Sequence, residues 1–431
     1  MTTPLRVLIA STPIAGHVNP ALPIARALIE RGHSVRWYTG QLHRKAVEAT
    51  GATFEPIVEA TDPLGATPDS LFPERVGLTR LAGLKFDLKH LFLDEVPGQL
   101  RDLQRIAAES PVDVVLADPG LMAAALLHEL GGPKFVTYGI SILPIPSRDV
   151  PPIGSGKKPG SVLARWQNRL LLPLVPRVLF GDVHRHYQQV RARIGLPPTR
   201  SSVFDLCASP DLYLQGSTAS FEFPRTDLPA QVHFVGPLLP ELSADRDLPE
   251  WWADLDESRP VVLVNQGTIA TDLTDLIGPA LEGLATENVT VIATGGAGTA
   301  GLTMPVPANA RVEAFVPFGA LLPRCDVMVT NGGYGGVQFA LANGVPLVIA
   351  GATEDKPDIA ARIEWSGVGV DLHTHRPSAD QIRDAVRTVL SDDRYRMRAK
   401  RIQREVEQLD TVGTCVVLIE QVSRHREMTS R

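Results

Sequence analysis

One pattern constrains this chain more than any other. A short apolar run leads into a turn rich in glycine and proline, apolar residues at helical spacing follow, and the series starts twice. The first instance is Leu5–Ala10 (LRVLIA), the turn from Ser11 to Asn19, and Pro20–Arg31, with Pro20 in the first helical turn and Gly32 at the stop. A run without alternating polar positions reads as a parallel strand covered on both faces. Val35–Tyr38 supplies the next strand and closes a βαβ unit. Helical Leu100–Glu109 and Leu121–Leu130 then alternate with strands Val112–Ala117 and Lys134–Tyr138. After a polar, proline-rich zone the series restarts: strand Pro260–Asn265, helix Leu273–Ala285, then strands Val289–Ala293, Val312–Phe315, Val327–Thr330 and Val345–Ala350. Alternation of this kind predicts an α/β protein with doubly wound parallel sheets. A length of 431 residues calls for two such domains. The expected division is residues 1–235, a linker at 236–258, a second domain at 259–410, and a C-terminal helix at 411–431. The apolar face Val412–Val422 of that helix suits packing back on the first domain.

Composition excludes several classes. Apolar residues make up 44% and charged residues 21%, the balance of a soluble globular chain. Lys plus Arg is 42 against 48 Asp plus Glu, for a net charge of −6, so no basic surface is available for a general grip on nucleic acid. The three cysteines, Cys207, Cys325 and Cys415, lack the close spacing of a zinc site and are too few for a disulfide framework. The N-terminus lacks a basic region followed by an unbroken apolar core, as a secretory signal requires. The best uncharged run, Val337 to Thr353, is interrupted by Asn343, Gly344 and Pro346. A cytoplasmic protein without stable membrane insertion is the expectation. Gly and Pro number 36 each, which means looseness if scattered and ligand-binding turns if placed at strand–helix junctions.

Two junctions carry chemistry. Thr330-Asn331-Gly332-Gly333-Tyr334-Gly335-Gly336-Val337 follows a strand and precedes the helical Val337–Ala342. Four glycines in five positions let a ligand reach the backbone, and the helix start offers unpaired N–H groups at the positive end of its dipole. This is a phosphate cradle, without the lysine of a nucleotide-hydrolysing P-loop. Gly16-His17-Val18-Asn19-Pro20 closes the first strand-to-helix turn of the other domain and places His17 where α/β sheets bind ligands. Imidazole accepts a proton near neutral pH. Asp118, at the end of another strand, can hold that ring, cap the helix from Leu121, or do both.

Other patterns carry less. Gly296, Gly298 and Gly301 spell G-x-G-x-x-G, but Pro305 and Pro307 follow where a dinucleotide fold opens a helix. Asp254 and Asp256 form a D-x-D pair inside a solvated charge cluster. His184/His186 and His373/His375 have i, i+2 spacing, which splits the rings between faces of a helix and suits a metal poorly. The proline- and glycine-rich stretch 145–160 reads as a long functional surface loop.

Taken together these residues resemble the nucleotide-sugar-dependent glycosyltransferases of the macrolide and UDP-glucosyl/UDP-glucuronosyl type, with two Rossmann-like domains facing across a cleft (the GT-B fold). The resemblance covers nearly the whole chain. It rests on the order and spacing of the GHVNP turn, Gln266-Gly267-Thr268, Phe315-Val316-Pro317-Phe318 before Leu321-Leu322-Pro323, the cradle Asn331–Gly336 with Ala340–Pro346, and Glu354-Asp355-Lys356. It implies His17 as general base with Asp118 as its partner. It implies Val316 backbone against the pyrimidine base, and Thr268 with Asn331, Gly332, Gly333, Gly335, Gly336 and Val337 around the diphosphate. Asp355 would meet the donor sugar hydroxyls beside Lys356.

Three positions depart from the family pattern. Asn331 stands where His is usual, Gly336 where Thr is usual, and Lys356 where Gln is usual. They bear on donor affinity and sugar identity. The expected activity is inverting, metal-independent transfer from a UDP-sugar or dTDP-sugar, a co-substrate with no further cofactor, to a hydroxyl of a small lipophilic acceptor such as a phenolic or a macrolide. Ile14, Phe86, Ile142 and Trp166 are the candidate acceptor contacts. The alternatives are a non-catalytic transferase-like auxiliary partner and another two-domain nucleotide-sugar enzyme such as an epimerase.

Overall fold

In the computed structural model the apolar runs form two separate, wholly parallel sheets. The described residues are 3–160, 168–169, 178–240, 248–255, 258–267, 272–295, 302 and 304–429. The first sheet contains β1 (Arg6–Ala10), β2 (Ser34–Thr39), β3 (Thr53–Pro56), β4 (Val114–Ala117), β5 (Lys134–Gly139), β6 (Leu212–Gln215) and β7 (Val232–Phe234). Its order is β3-β2-β1-β4-β5-β6-β7. The second contains β8 (Val261–Asn265), β9 (Thr290–Thr294), β10 (Ala310–Glu313), β11 (Val327–Thr330), β12 (Leu347–Ile349) and β13 (Gly369–Asp371), in the order β10-β9-β8-β11-β12-β13. In each sheet the winding reverses beside the first strand, between β1 and β4 and between β8 and β11. A crevice opens at the carboxyl ends of the strands at such a point.

Burial explains why these runs are strands. Leu8 and Ala10 of β1 face one apolar cluster while Val7 and Ile9 face another, and all four are at most 2% exposed. β8 repeats the arrangement, Val261 and Leu263 on one side and Val262 and Val264 on the other. Each Val, Leu or Ile side chain so taken from water contributes about 1.5–3 kcal/mol, which a strand with one wet face would forgo. Helices Leu22–Glu30 and Val96–Glu109 cover opposite faces of the first sheet, and helices Ile277–Leu284 and Tyr334–Ala342 those of the second.

The sequence reading of β10 needs correction. The strand ends at Glu313, not Phe315, because its ladder with β9 runs from Ala310–Val291 to Glu313–Thr294 and stops where β9 stops. Phe315 lies beyond it, 52% exposed. The helix expected over Leu273–Ala285 is regular only from Ile277 to Leu284.

The C-terminal helix, Thr411–Thr429, returns to the first sheet. Cys415, Val416 and Ile419 are fully buried in the cluster that holds Ile24, Leu28 and Leu214. Glu420 fastens it, accepting from Arg31 at 3.0 and 3.1 Å and pairing with His33 at 3.0 Å. Burial works against that carboxylate, yet the His33 and Arg31 contacts hold it below the usual glutamate range. Nearby, Gly236 takes a positive φ of +96°, and a Cβ there would collide with the Thr411 hydroxyl. The chain leaves the first sheet and re-enters it at one spot.

Candidate functional site

The first half of the site sits at the β1/β4 switch point. After β1 the chain makes a single helical turn, Ala15–Val18, whose opening carbonyl at Ile14 accepts from His17 N at 2.8 Å and Val18 N at 3.0 Å. His17 Nδ1 lies 2.6 Å from Asp118 Oδ1, directly after β4. Asp118 is 1% exposed and its carboxylate is fixed on every side. Thr12 N donates to Oδ2 at 2.7 Å, while Thr12 Oγ1 at 3.1 Å and Gly120 N at 2.8 Å donate to Oδ1. A Cβ on Gly120 would press within 3.0 Å of Phe92 and of that carboxylate, so glycine is what leaves room for it. The Tyr138 hydroxyl donates to the His17 carbonyl at 2.8 Å and meets Ser11 Oγ at 2.7 Å, which in turn accepts from Trp37 Nε1 at 2.9 Å. With Nδ1 turned to a buried carboxylate and the side chain 22% exposed, Nε2 is the nitrogen left for a ligand.

The second half repeats the geometry at the β8/β11 switch point with different means. Gly267, φ +83°, follows β8, and Gly332, φ +87°, follows β11. A Cβ on Gly332 would run into Ile349, so only glycine fits on both counts. Asn331 ties the two turns: Nδ2 donates to the Gln266 carbonyl and Oδ1 accepts from Gly333 N at 3.4 Å. Gly333 caps the Tyr334–Ala342 helix in extended conformation without a side-chain partner, and the first helical turn holds no acidic residue. Its leading N–H groups therefore point out of the turn beside a positive dipole end. Gly335, Gly336 and Val337 lie inside that helix; Val337 is fully buried and packs inward. Val316 is 1% exposed, which leaves only its backbone to a ligand.

Asp355 stands just ahead of the Lys356–Ser366 helix and accepts from Ser141 Oγ of the first domain, a residue the sequence reading missed. Loss of water pushes its carboxyl up, against the pull of that hydroxyl. The Lys356 ammonium turns aside to Glu354 at 2.9 Å and Thr353 at 3.1 Å. The sheets also meet through Arg362–Glu222 at 2.9 Å and through Gln215 donating to the Tyr334 hydroxyl at 3.1 Å.

The remaining expectations divide. Ile14 is partly exposed beside His17. Phe86 is partly buried and stacks edge-on with Phe72 at 5.6 Å. Ile142 is only 4% exposed, and it packs into the second domain's core cluster with its edge on an apolar pocket. Trp166, Thr268, Asp256 and the Gly296–Gly301 turn lie outside the described residues. His186 pairs with Asp94 at 2.7 Å and His184 with Gln188 at 3.0 Å. Among the described residues, Glu364, Asp371 and His373 form the one group of three or more His, Cys, Asp or Glu that could gather on a metal ion, and His373 is already paired to Asp371 at 2.8 Å. No helix among the described residues is long and apolar enough to cross a membrane.

Known proteins are similar to nearly the whole chain. The family profile described as "Erythromycin biosynthesis protein CIII-like, C-terminal domain" matches residues 280–413. The 4'-demethylrebeccamycin synthase of Lentzea aerocolonigenes is 46% identical over 417 residues, 96% of this chain and 99% of its own. The chain belongs to the macrolide and UDP-glucosyltransferase family of nucleotide-sugar-dependent glycosyltransferases. UDP-glycosyltransferase 2 of Phaeomoniella chlamydospora is 32% identical, covering 97% of this chain and 95% of its own. The crystal structure of the glycotransferase of kitacinnamycin superposes with a TM-score of 0.75 at 23% identity, covering 98% and 100% of the two chains. The transferase thus has the GT-B fold, two parallel-sheet α/β domains.

Proposed function

We propose that this glycosyltransferase moves a sugar from a UDP-sugar or dTDP-sugar to a hydroxyl of a small lipophilic natural product, in one inverting displacement without a metal. The observation that carries the reading is the His17–Asp118 contact at 2.6 Å beside a switch-point crevice. Asp118, an acceptor, fixes the proton of His17 on Nδ1, so Nε2 is the basic nitrogen. As the acceptor oxygen attacks the anomeric carbon, Nε2 takes its proton, and the buried carboxylate balances the imidazolium that forms. The bond from that carbon to the diphosphate oxygen breaks, and its electron pair leaves with the nucleoside diphosphate. The charge grows where the N–H groups ahead of Tyr334–Ala342 converge, a preorganised alternative to a cation. Asp355 receives donor sugar hydroxyls and Val316 backbone flanks the base. One displacement exchanges the face of the sugar, hence inversion.

The relatives named as a rebeccamycin-type synthase and a UDP-glycosyltransferase support the choice of acceptor class and donor. Mass spectrometry of reactions pairing UDP-glucose, other UDP-sugars and dTDP-sugars with phenolic, macrolide and lipid acceptors identifies the pair, and NMR of the product gives the anomeric configuration. Retention of configuration, or strong reversible inhibition by EDTA, contradicts the mechanism.

A further inference from the structure

The proline-rich segment that follows β5 has no regular structure, and two different domains hold it. Its first part is tied within its own domain. Glu222 accepts from Leu143 N at 3.1 Å, and Arg225 donates to the Leu143 carbonyl at 3.1 Å and to that of Ile145. Asp227 accepts from Ser147 Oγ at 2.6 Å and Arg148 N at 2.9 Å. Its second part is held from across the cleft. Asp358 accepts from Gly154 N at 2.6 Å through Oδ2 and from Gly156 N at 2.9 Å through Oδ1, and Lys158 reaches Glu364 at 3.0 Å. Both glycines take positive φ, +81° and +63°, and a Cβ on Gly156 would come within 2.9 Å of Pro357. The segment is therefore shaped to this grip. Asp358 is 4% exposed, and it lines with Ile153, Phe204 and Phe223 the apolar pocket that the segment walls.

We propose that Asp358 is a positioning residue by which the donor domain completes the acceptor-side loop, so that donor occupancy and loop order rise together. The inference rests on the donor role assigned above to Asp355. Asp358 stands in the first turn of the helix that Asp355 precedes, so a sugar that fixes Asp355 also fixes the clasp on Gly154 and Gly156. Coupling between two sites is reciprocal: an acceptor that seats the loop favours the donor-bound helix by the same factor.

Hydrogen–deuterium exchange on the full chain, with and without saturating UDP-glucose or dTDP-glucose, tests this. In the wild type the donor is expected to slow exchange of peptides over residues 150–158 at least tenfold. D358A should exchange fast in both states, and by the same linkage its donor affinity by calorimetry should fall about tenfold. D358N, which keeps one acceptor oxygen, should fall between, and it carries the comparison if D358A does not fold. Donor binding that leaves wild-type loop exchange unchanged overturns the coupling. So does a D358A or D358N loop that responds to donor as the wild type does, or one that loses donor protection while its donor affinity stays at the wild-type value. Failure of every sugar nucleotide to bind overturns the donor reading itself, a result distinct from binding without loop protection.

Discussion

The His17 turn, after β1, and the glycine cradle, after β11, lie on the two sides of equivalent switch points, yet they are built from opposite materials. The first uses side chains: an imidazole, a buried carboxylate with three further donors around it, and a Tyr138–Ser11–Trp37 chain behind. The second removes side chains, with Gly332 forced by φ and by Ile349, and presents backbone N–H groups instead. Under the proposed mechanism the contrast follows from what each would handle. A proton needs a group that changes charge, whereas a leaving diphosphate needs fixed positive potential that does not. One βα junction serves either task, depending on whether its turn is dressed or stripped.

The sharpest way to break this comparison is His17→Ala. Loss of a positioned base costs about 10²–10⁴-fold, so kcat is expected to fall by that much while calorimetry shows nucleotide affinity unchanged. Undiminished transfer would remove the proton chemistry from the first turn. Asp118→Asn keeps the shape but loses the charge that balances imidazolium. A fall in kcat of about 10²-fold is expected, within the general acid–base range, without a parallel loss of donor binding. Gly332→Ala attacks the other turn. With φ at +87° and Ile349 in the way, it should cost about 1–3 kcal/mol of stability, read from denaturant melts, and weaken UDP binding. Gly336→Ala separates need from habit among the cradle glycines. A Cβ there meets Asn265 Nδ2 at 3.4 Å and Met328 Cε at 3.5 Å, ordinary contacts. Replacing this glycine of the first helical turn should then raise stability by up to about 0.5–1 kcal/mol with donor affinity retained. Destabilisation would mean that this position, too, is stripped for a reason.

The smallest effect concerns the tether on the first domain. The Glu420 carboxyl is held below its usual range in the folded chain, so its contribution is full above about pH 4.3 and is lost as pH falls through the folded value. Glu420→Gln should lower the melting temperature by a few degrees at pH 7, and the gap to wild type should close in acid. A gap independent of pH would show that the carboxylate's charge plays no part.

Much of this was legible in the sequence because both functional turns follow strands buried on both faces, and an apolar run before glycines or a lone histidine is a strong signal. β3, β6, β7 and β13 passed unread; they are three or four residues each, too short to outweigh their surroundings. Phe315 was placed in a strand because it is apolar, but β10's length is set by its neighbour β9, which no local pattern reports. Ser141 and Asp358 were invisible for a different reason. Each acts only through a residue far along the chain, Ser141 on Asp355 and Asp358 on Gly154 and Gly156. Ile142 was read as a ligand contact, whereas its burial makes it mainly a seam between the domains.

The meeting of Gly236 with Thr411 has a mechanical consequence. Outbound and inbound segments that touch at one point make a pivot with two strands in place of one. A bulkier residue at 236 would have to part those two segments, and so shift how the sheets are joined, without touching either turn.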